Sequence, residues 1–298
     1  MTDRKTHLDA LAVAALVACC FLWGLNQVAA KAAMTEIPAL WQGTSRSIVG
    51  GALVWAWAAW RGIRLFEPDG TLAGGLLAGA LFAGEFACIF CGLQYTAASR
   101  MVVFIYLAPF VVALGMPSIA RSERLTAVQM TGLVIAFAGV AWAFAESFTQ
   151  PAAGADQWIG DGLGVLAAGL WGATTLAIRG SRLSGASAEK TLIYQLAVSG
   201  VALGAGAIVQ GIPLPTHVSA LAATALAFQI VIVTFASYLV WFWLVRRYAA
   251  TRLSAFTMLT PMFGLAMGAL LLGEPITARL VIALVAVAGG ILLVNRRA

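Results

Sequence analysis

Ala97-Ala98-Ser99-Arg100, followed by Phe104 and Pro109, returns as Ala249-Ala250-Thr251-Arg252, followed by Phe256 and Pro261, displaced throughout by 152 positions. Leu22-Trp23-Gly24 returns as Leu170-Trp171-Gly172 at 148, and Glu123, Thr126 and Gly139 return as Glu274, Thr277 and Gly290 at 151. A single match in a chain so rich in Ala, Leu and Gly would be noise. Three clusters in the same order at nearly one displacement mark an internal duplication. The chain therefore reads as two related units, residues 1–150 and 151–298.

Composition says what the units are made of. Of 298 residues 61% are hydrophobic and 10% charged, against about 45–50% and about 25% in a soluble domain. That apolar surplus exceeds what a water-soluble globule can bury, and it excludes a disordered chain, a disulfide-stapled module and a coiled coil. A bilayer core about 30 Å thick needs roughly 20 apolar residues per helical crossing. Ten apolar runs meet that need, at 8–30, 38–60, 71–94, 97–119, 125–145, 159–178, 189–210, 217–245, 250–272 and 276–295. They lack the two-residue alternation of a membrane barrel, so the expectation is an all-α polytopic membrane protein of ten transmembrane helices. Residues 8–30 also have the look of a secretory signal, with Arg4 and Lys5 ahead of the apolar run. The run is long for that role and belongs to the repeat.

Each unit holds five helices, an odd number, so the second copy enters the membrane from the opposite side and the halves are inverted. Charge agrees. With the N-terminus in the cytoplasm, fourteen Lys and Arg fall inside and Lys31, Arg100 and Arg279 outside, with Arg46 left within a span, of 18 in all. Such a bias in short loops orients membrane proteins, so the net charge of +6 needs no nucleic-acid partner and both termini are expected in the cytoplasm. Inverted repeats are a transporter architecture, with substrate near the midplane and each side exposed in turn.

The Leu-Trp-Gly near the start of each half, the Ala-Ala-Ser/Thr-Arg entry with its later Pro, and the Glu-x-x-Thr turns at Glu123–Thr126 and Glu274–Thr277 resemble the EamA branch of the drug/metabolite transporter superfamily. Within it the chain looks most like the YddG-type exporters of aromatic amino acids. The resemblance implies alternating access in a bacterial-type inner membrane, with four helices of each half around a central cavity and the fifth peripheral. The second reading is broad efflux of drugs or cationic compounds.

Arg46 and Glu85 are the charges deep within apolar spans, and an ionisable residue there marks a functional site by default. Counted from Pro38 and from Gln94, they lie roughly 12 and 13 Å below one surface at 1.5 Å per residue, on consecutive helices. Their head groups are expected to meet, either as a structural ion pair or at the substrate. Trp23, Tyr106, Trp171, Tyr238 and Phe256 offer flat apolar walls for an aromatic side chain. Asn26 and Gln27, and Thr175 in the second half, supply polar handles one turn on from the two tryptophans. Pro109 and Pro261 remove a backbone hydrogen bond near the middle of equivalent helices, as candidate gating points. No span carries a central Asp, a paired Ser and His or a His-Glu-x-x-His helix, and there is no phosphate-binding loop for ATP. The expectation is no enzyme, no cofactor and no metal, but a monomer in lipid acting on small molecules such as amino acids.

Overall fold

The structure, a computed structural model, describes residues 7–149, 154–272 and 278–296. Arg4, Lys5, Glu274, Thr277 and Arg297 lie outside them. Every regular element among the described residues is helical. Hydrocarbon offers backbone groups no water, so apolar segments of this length close their hydrogen bonds internally.

The first half contains α1 (Ala10–Met34), α2 (Ala39–Trp60), α3 (Leu72–Gly92), α4 (Ala98–Ile105), α5 (Ala108–Ile119), α6 (Ala127–Ala143) and the short α7 (Glu146–Thr149). The second contains α8 (Gln157–Gly180), α9 (Ala188–Val209), α10 (Ala220–Phe228), α11 (Tyr238–Arg247), α12 (Ala250–Phe256), α13 (Leu259–Leu272) and α14 (Ala278–Val294). A π-helical stretch, Gln229–Ser237, joins α10 to α11 in one 28-residue rod. Among the described residues seven helices are long and apolar enough to cross a bilayer: α1, α3, α8, α9 and the rods 98–119, 220–247 and 250–271. Polar side chains start several of them. Asp9 accepts from the Ala12 N–H of α1 at 3.0 Å, Ser187 from Lys190 of α9 at 3.0 Å, and Thr126 with Gln129 forms a reciprocal cap on α6.

The prolines do not stand in mid-helix as expected. The rods 98–119 and 250–271 are broken at Tyr106-Leu107 and Thr257-Met258, where N–H groups reach back three residues, as from Leu107 to Phe104 O at 3.1 Å and from Met258 to Ala255 O at 3.3 Å. Pro109 and Pro261 then fall in the first turn of α5 and of α13. There a missing N–H leaves no intrahelical bond unmade, and the fixed φ suits the new helix.

Consecutive helices are not always neighbours. α2 and α3 each pack along α9, α3 also along α8, α1 along α13 and α10, and α6 along α14. Contacts between the halves come in exchanged pairs. Ser199 Oγ donates to Ser47 Oγ at 3.0 Å where α2 meets α9. These two helices correspond at a displacement of 149, Ala39 to Ala188 and Gly62 to Gly211. A Cβ added to Gly200 would lie 3.5 Å from Ser47 Cβ while one added to Gly51 would lie 3.6 Å from Leu196 Cβ, the same contact with its members exchanged. A Cβ added to Gly132 would lie 2.6 Å from Gly290 O, and one added to Gly139 would lie 3.0 Å from Ala283 O. At a displacement of 151 that second contact is the first with its members exchanged.

The polar contacts of the helix ends fall into two separate sets. One joins Asp9 to Tyr248, Asp69 to Lys190, Glu123 to Arg179 and to the start of α12, Arg252 to Asn295, and Gln129 to Arg296. The other joins Glu36 to Ser219, Trp41 to Ile212, Asp161 to Thr96 and Arg100, and Arg279 to Glu146. Lys190, with Thr71, holds the Asp69 carboxyl below the usual carboxylate range, and Ser219 does the same for Glu36.

Candidate functional site

Midway along the helices, α1, α2 and α3 of the first half meet residues 237–241 of the second. Trp23 of α1 donates from Nε1 to Ser237 Oγ at 2.8 Å, and Ser237 in turn donates to Val233 O at 2.6 Å, one turn back. The Trp23 ring stands edge-on to Trp241 at 5.4 Å and to Tyr238 at 6.1 Å between centroids. On α3, Phe82 and Phe86 are one turn apart with centroids 5.0 Å from each other, and Phe82 faces Tyr238 at 6.5 Å. The result is an aromatic wall built from both halves.

Arg46 enters this wall from α2. Its Nη2 donates to the Tyr238 hydroxyl at 2.7 Å, and its guanidinium carbon lies 4.9 Å from the Phe86 centroid and 5.9 Å from that of Tyr238. A cation over two ring faces is attracted by the ring quadrupoles, more strongly where water is excluded. Phe86 and Tyr238 are themselves repeat copies, 152 apart, so Arg46 lies between one aromatic position and its own duplicate.

The expected meeting of Arg46 and Glu85 does not occur. No Glu85 oxygen forms an ion pair with Arg46, and Glu85, 7% exposed, has a buried Oε2 without a hydrogen-bond partner. The physical reason is direction: Arg46 reaches α3 at Phe86 and Tyr238 beyond it, and the side chain before Phe86 on a helix is turned about 100° away. Glu85 remains within electrostatic range of Arg46 and of the Tyr106 hydroxyl.

The other sequence candidates divide. Tyr106 is buried at the break of its rod and stands edge-on to Trp171 at 5.8 Å, a second aromatic pair. Asn26 is half-buried with an unpartnered Oδ1. Thr175 is buried beside Thr174, whose hydroxyl donates to Leu170 O at 2.9 Å. Phe256 is 5% exposed and its carbonyl accepts from Cys20 Sγ at 3.3 Å. Gln27 is not brought to the wall: it is exposed, along α13 against Gly264. Cys88 and Cys91 are half-buried free thiols, and among the described residues no three His, Cys, Asp or Glu side chains converge as a metal site would require.

Sequence reading passed over Ser237, Phe82 and Phe86 as members of the wall. The displacement of 152 that matches Phe86 to Tyr238, and Ser237 to Glu85, was the signal for two of them.

Comparison with known proteins supplies the family. No curated protein matches the sequence. A solved crystal structure superposes with a TM-score of 0.80 over 96% of this chain and 96% of that one, at 17% identity, which speaks to the fold alone. The model of the EamA-like transporter family matches twice, over residues 10–145 and 158–296. With nearly all of its length matched in two successive copies, the chain belongs to the EamA-like transporter family.

Proposed function

We propose that this small-molecule transporter exports amino acids, aromatic ones preferred, and related metabolites across a bacterial-type inner membrane by alternating access. Its units, residues 1–150 and 151–298, are two inverted repeats of five spans, it works as a monomer, and both termini are cytoplasmic. The two sets of end contacts support the ten-span path, because residues assigned to the inside touch only one another and so do those assigned to the outside. Lys and Arg crowd the first set and are sparse in the second, as the positive-inside bias requires. The exchanged contacts of α2 with α9 and of α6 with α14 support inversion, since a two-fold axis makes each contact twice with its members exchanged.

The observation that carries the substrate reading is Arg46 held between Phe86 and Tyr238 at membrane depth. A guanidinium fork matches a carboxylate, and the surrounding rings match an aromatic side chain. The unpartnered Glu85 carboxyl favours the second reading, efflux of cationic compounds. Flux into proteoliposomes separates them. Labelled phenylalanine and tryptophan are expected to exchange while cationic dyes do not, and the reverse result selects efflux. Trp23→Ala and Trp171→Ala are expected to change aromatic over small amino-acid preference by about three- to tenfold. Unchanged preference in both would remove the aromatic wall from the pathway. Reporter fusions test the topology: a cytoplasmic signal from the connection between α7 and α8 contradicts the ten-span path.

A further inference from the structure

We infer that Arg46 and Glu85 are the two poles of one subsite, Arg46 for a carboxylate and Glu85 for an ammonium, so that the ligand is a zwitterion with both groups free. This rests on the amino-acid reading and deepens it by naming which chemical groups the substrate must carry.

Three observations converge. Glu85 is more than nine-tenths buried, with an oxygen that accepts from nothing. Arg46 is half-buried, and among the described residues its hydrogen-bond partner is one neutral hydroxyl, that of Tyr238, which leaves most of its five donors open. Arg46 lies over the ring of Phe86, the residue next to Glu85 on α3, yet forms no ion pair with Glu85, because consecutive side chains on a helix point about 100° apart. Two opposite charges beside one aromatic residue, neither neutralised by the other, offer a ligand a cationic and an anionic pole.

A ligand with only an ammonium would satisfy Glu85 and leave Arg46 without a counter-ion. One with only a carboxylate would do the opposite. Either way a charge stays unpaired in a low-dielectric site, which is the costly outcome. A zwitterion pairs both at once. The matching helices α2 and α9 put Gln195 opposite Arg46, and the displacement of 152 further along puts Ser237 opposite Glu85; both are neutral, so the polarity is not duplicated and fixes one orientation of the ligand. In that orientation Phe86, which follows Glu85 on α3 and faces Arg46, lies beside the bound backbone atoms.

The test is counterflow of labelled phenylalanine in proteoliposomes of the full chain, with four unlabelled competitors: phenylalanine, phenethylamine, 3-phenylpropionate and N-acetylphenylalanine. Phenylalanine is expected to compete more than about tenfold better than the other three. Glu85→Gln removes the anionic pole and is expected to raise competition by 3-phenylpropionate and N-acetylphenylalanine, but not by phenethylamine. Arg46→Met is expected to raise competition by phenethylamine alone. Equal competition by all four compounds in the natural protein overturns the inference while leaving amino-acid transport standing, and needs no variant to fold. Variants that weaken all competitors alike also overturn it. No exchange of any amino acid by the natural protein overturns both the inference and the reading beneath it.

Discussion

The two ends of the bundle are fastened by the same chemistry in different surroundings. At one end Glu123 pairs with Arg179, and their side chains are 4% and 1% exposed. The same carboxylate accepts from the Ala250 N–H at 2.6 Å, and Arg179 donates to Val245 O at 3.0 Å. One acid of the first half thus ties together α8, α11 and α12 of the second. At the other end Arg100 pairs with Asp161, their side chains 14% and 18% exposed, with Thr96 and the Ser147 carbonyl as further partners. Both clasps cross between the halves. The first is dry, so separating it strands a charge away from water. The second is wet at its edge, and water can replace a lost partner. Of the two ends, the Arg100–Asp161 end is therefore the easier to open.

The comparison breaks most sharply at Glu123. Glu123→Ala takes the carboxylate away from the buried Arg179 guanidinium and is expected to cost about 3–5 kcal/mol, read as loss of folded protein and a lower Tm in detergent. Pairing Glu123→Leu with Arg179→Met should recover most of that. It will not recover the cap on α12, about 0.5–2 kcal/mol, so full recovery would show that the cap contributes nothing. At the wetter end, Asp161→Asn is expected to cost about 1.5–3 kcal/mol, and less as salt is raised, because charge-assisted bonds there are partly screened. A salt-independent loss matching that of Glu123→Ala would erase the distinction between the ends. The smallest effect belongs to Asp69, exposed on the dry-clasp side and bonded to the Lys190 amine at 2.8 Å. Its carboxyl titrates lower in the folded protein than in the unfolded chain. Its stabilising contribution is therefore complete above the ordinary Asp value of about 3.9 and fades as pH falls below it. Tm measured against pH should show a small acid-side decline that Asp69→Asn removes.

How far the sequence carried differs from residue to residue. Helices and their approximate ends were legible because apolar run length and cap residues such as Asp9, Thr126 and Ser187 are local properties. The odd charges Arg46 and Glu85 stood out for the same reason, as departures from a local background. Their relation to each other did not. Equal depth and consecutive helices suggested contact, whereas Arg46 is held by Phe86 and by the hydroxyl of Tyr238, 192 positions away, a partner no local property announces. Glu123 and Arg179 had no local mark of partnership either, since each reads as an ordinary charge at a span end. Pro109 and Pro261 were expected to disturb their helices at their own positions, in mid-helix. The disturbance lies just upstream of each, because a proline begins a helix more readily than it interrupts one.

The exchanged contacts of α6 with α14 have an evolutionary consequence under the proposed inversion. In an ancestor made of two identical five-helix chains inserted in opposite senses, Gly132 against Gly290 and Gly139 against Ala283 would be one contact made twice, so any change at either position would strike both places at once. Joining the copies in one gene freed each to change alone. Ala283, with a methyl group where Gly132 has none, is a difference that only a fused chain can encode.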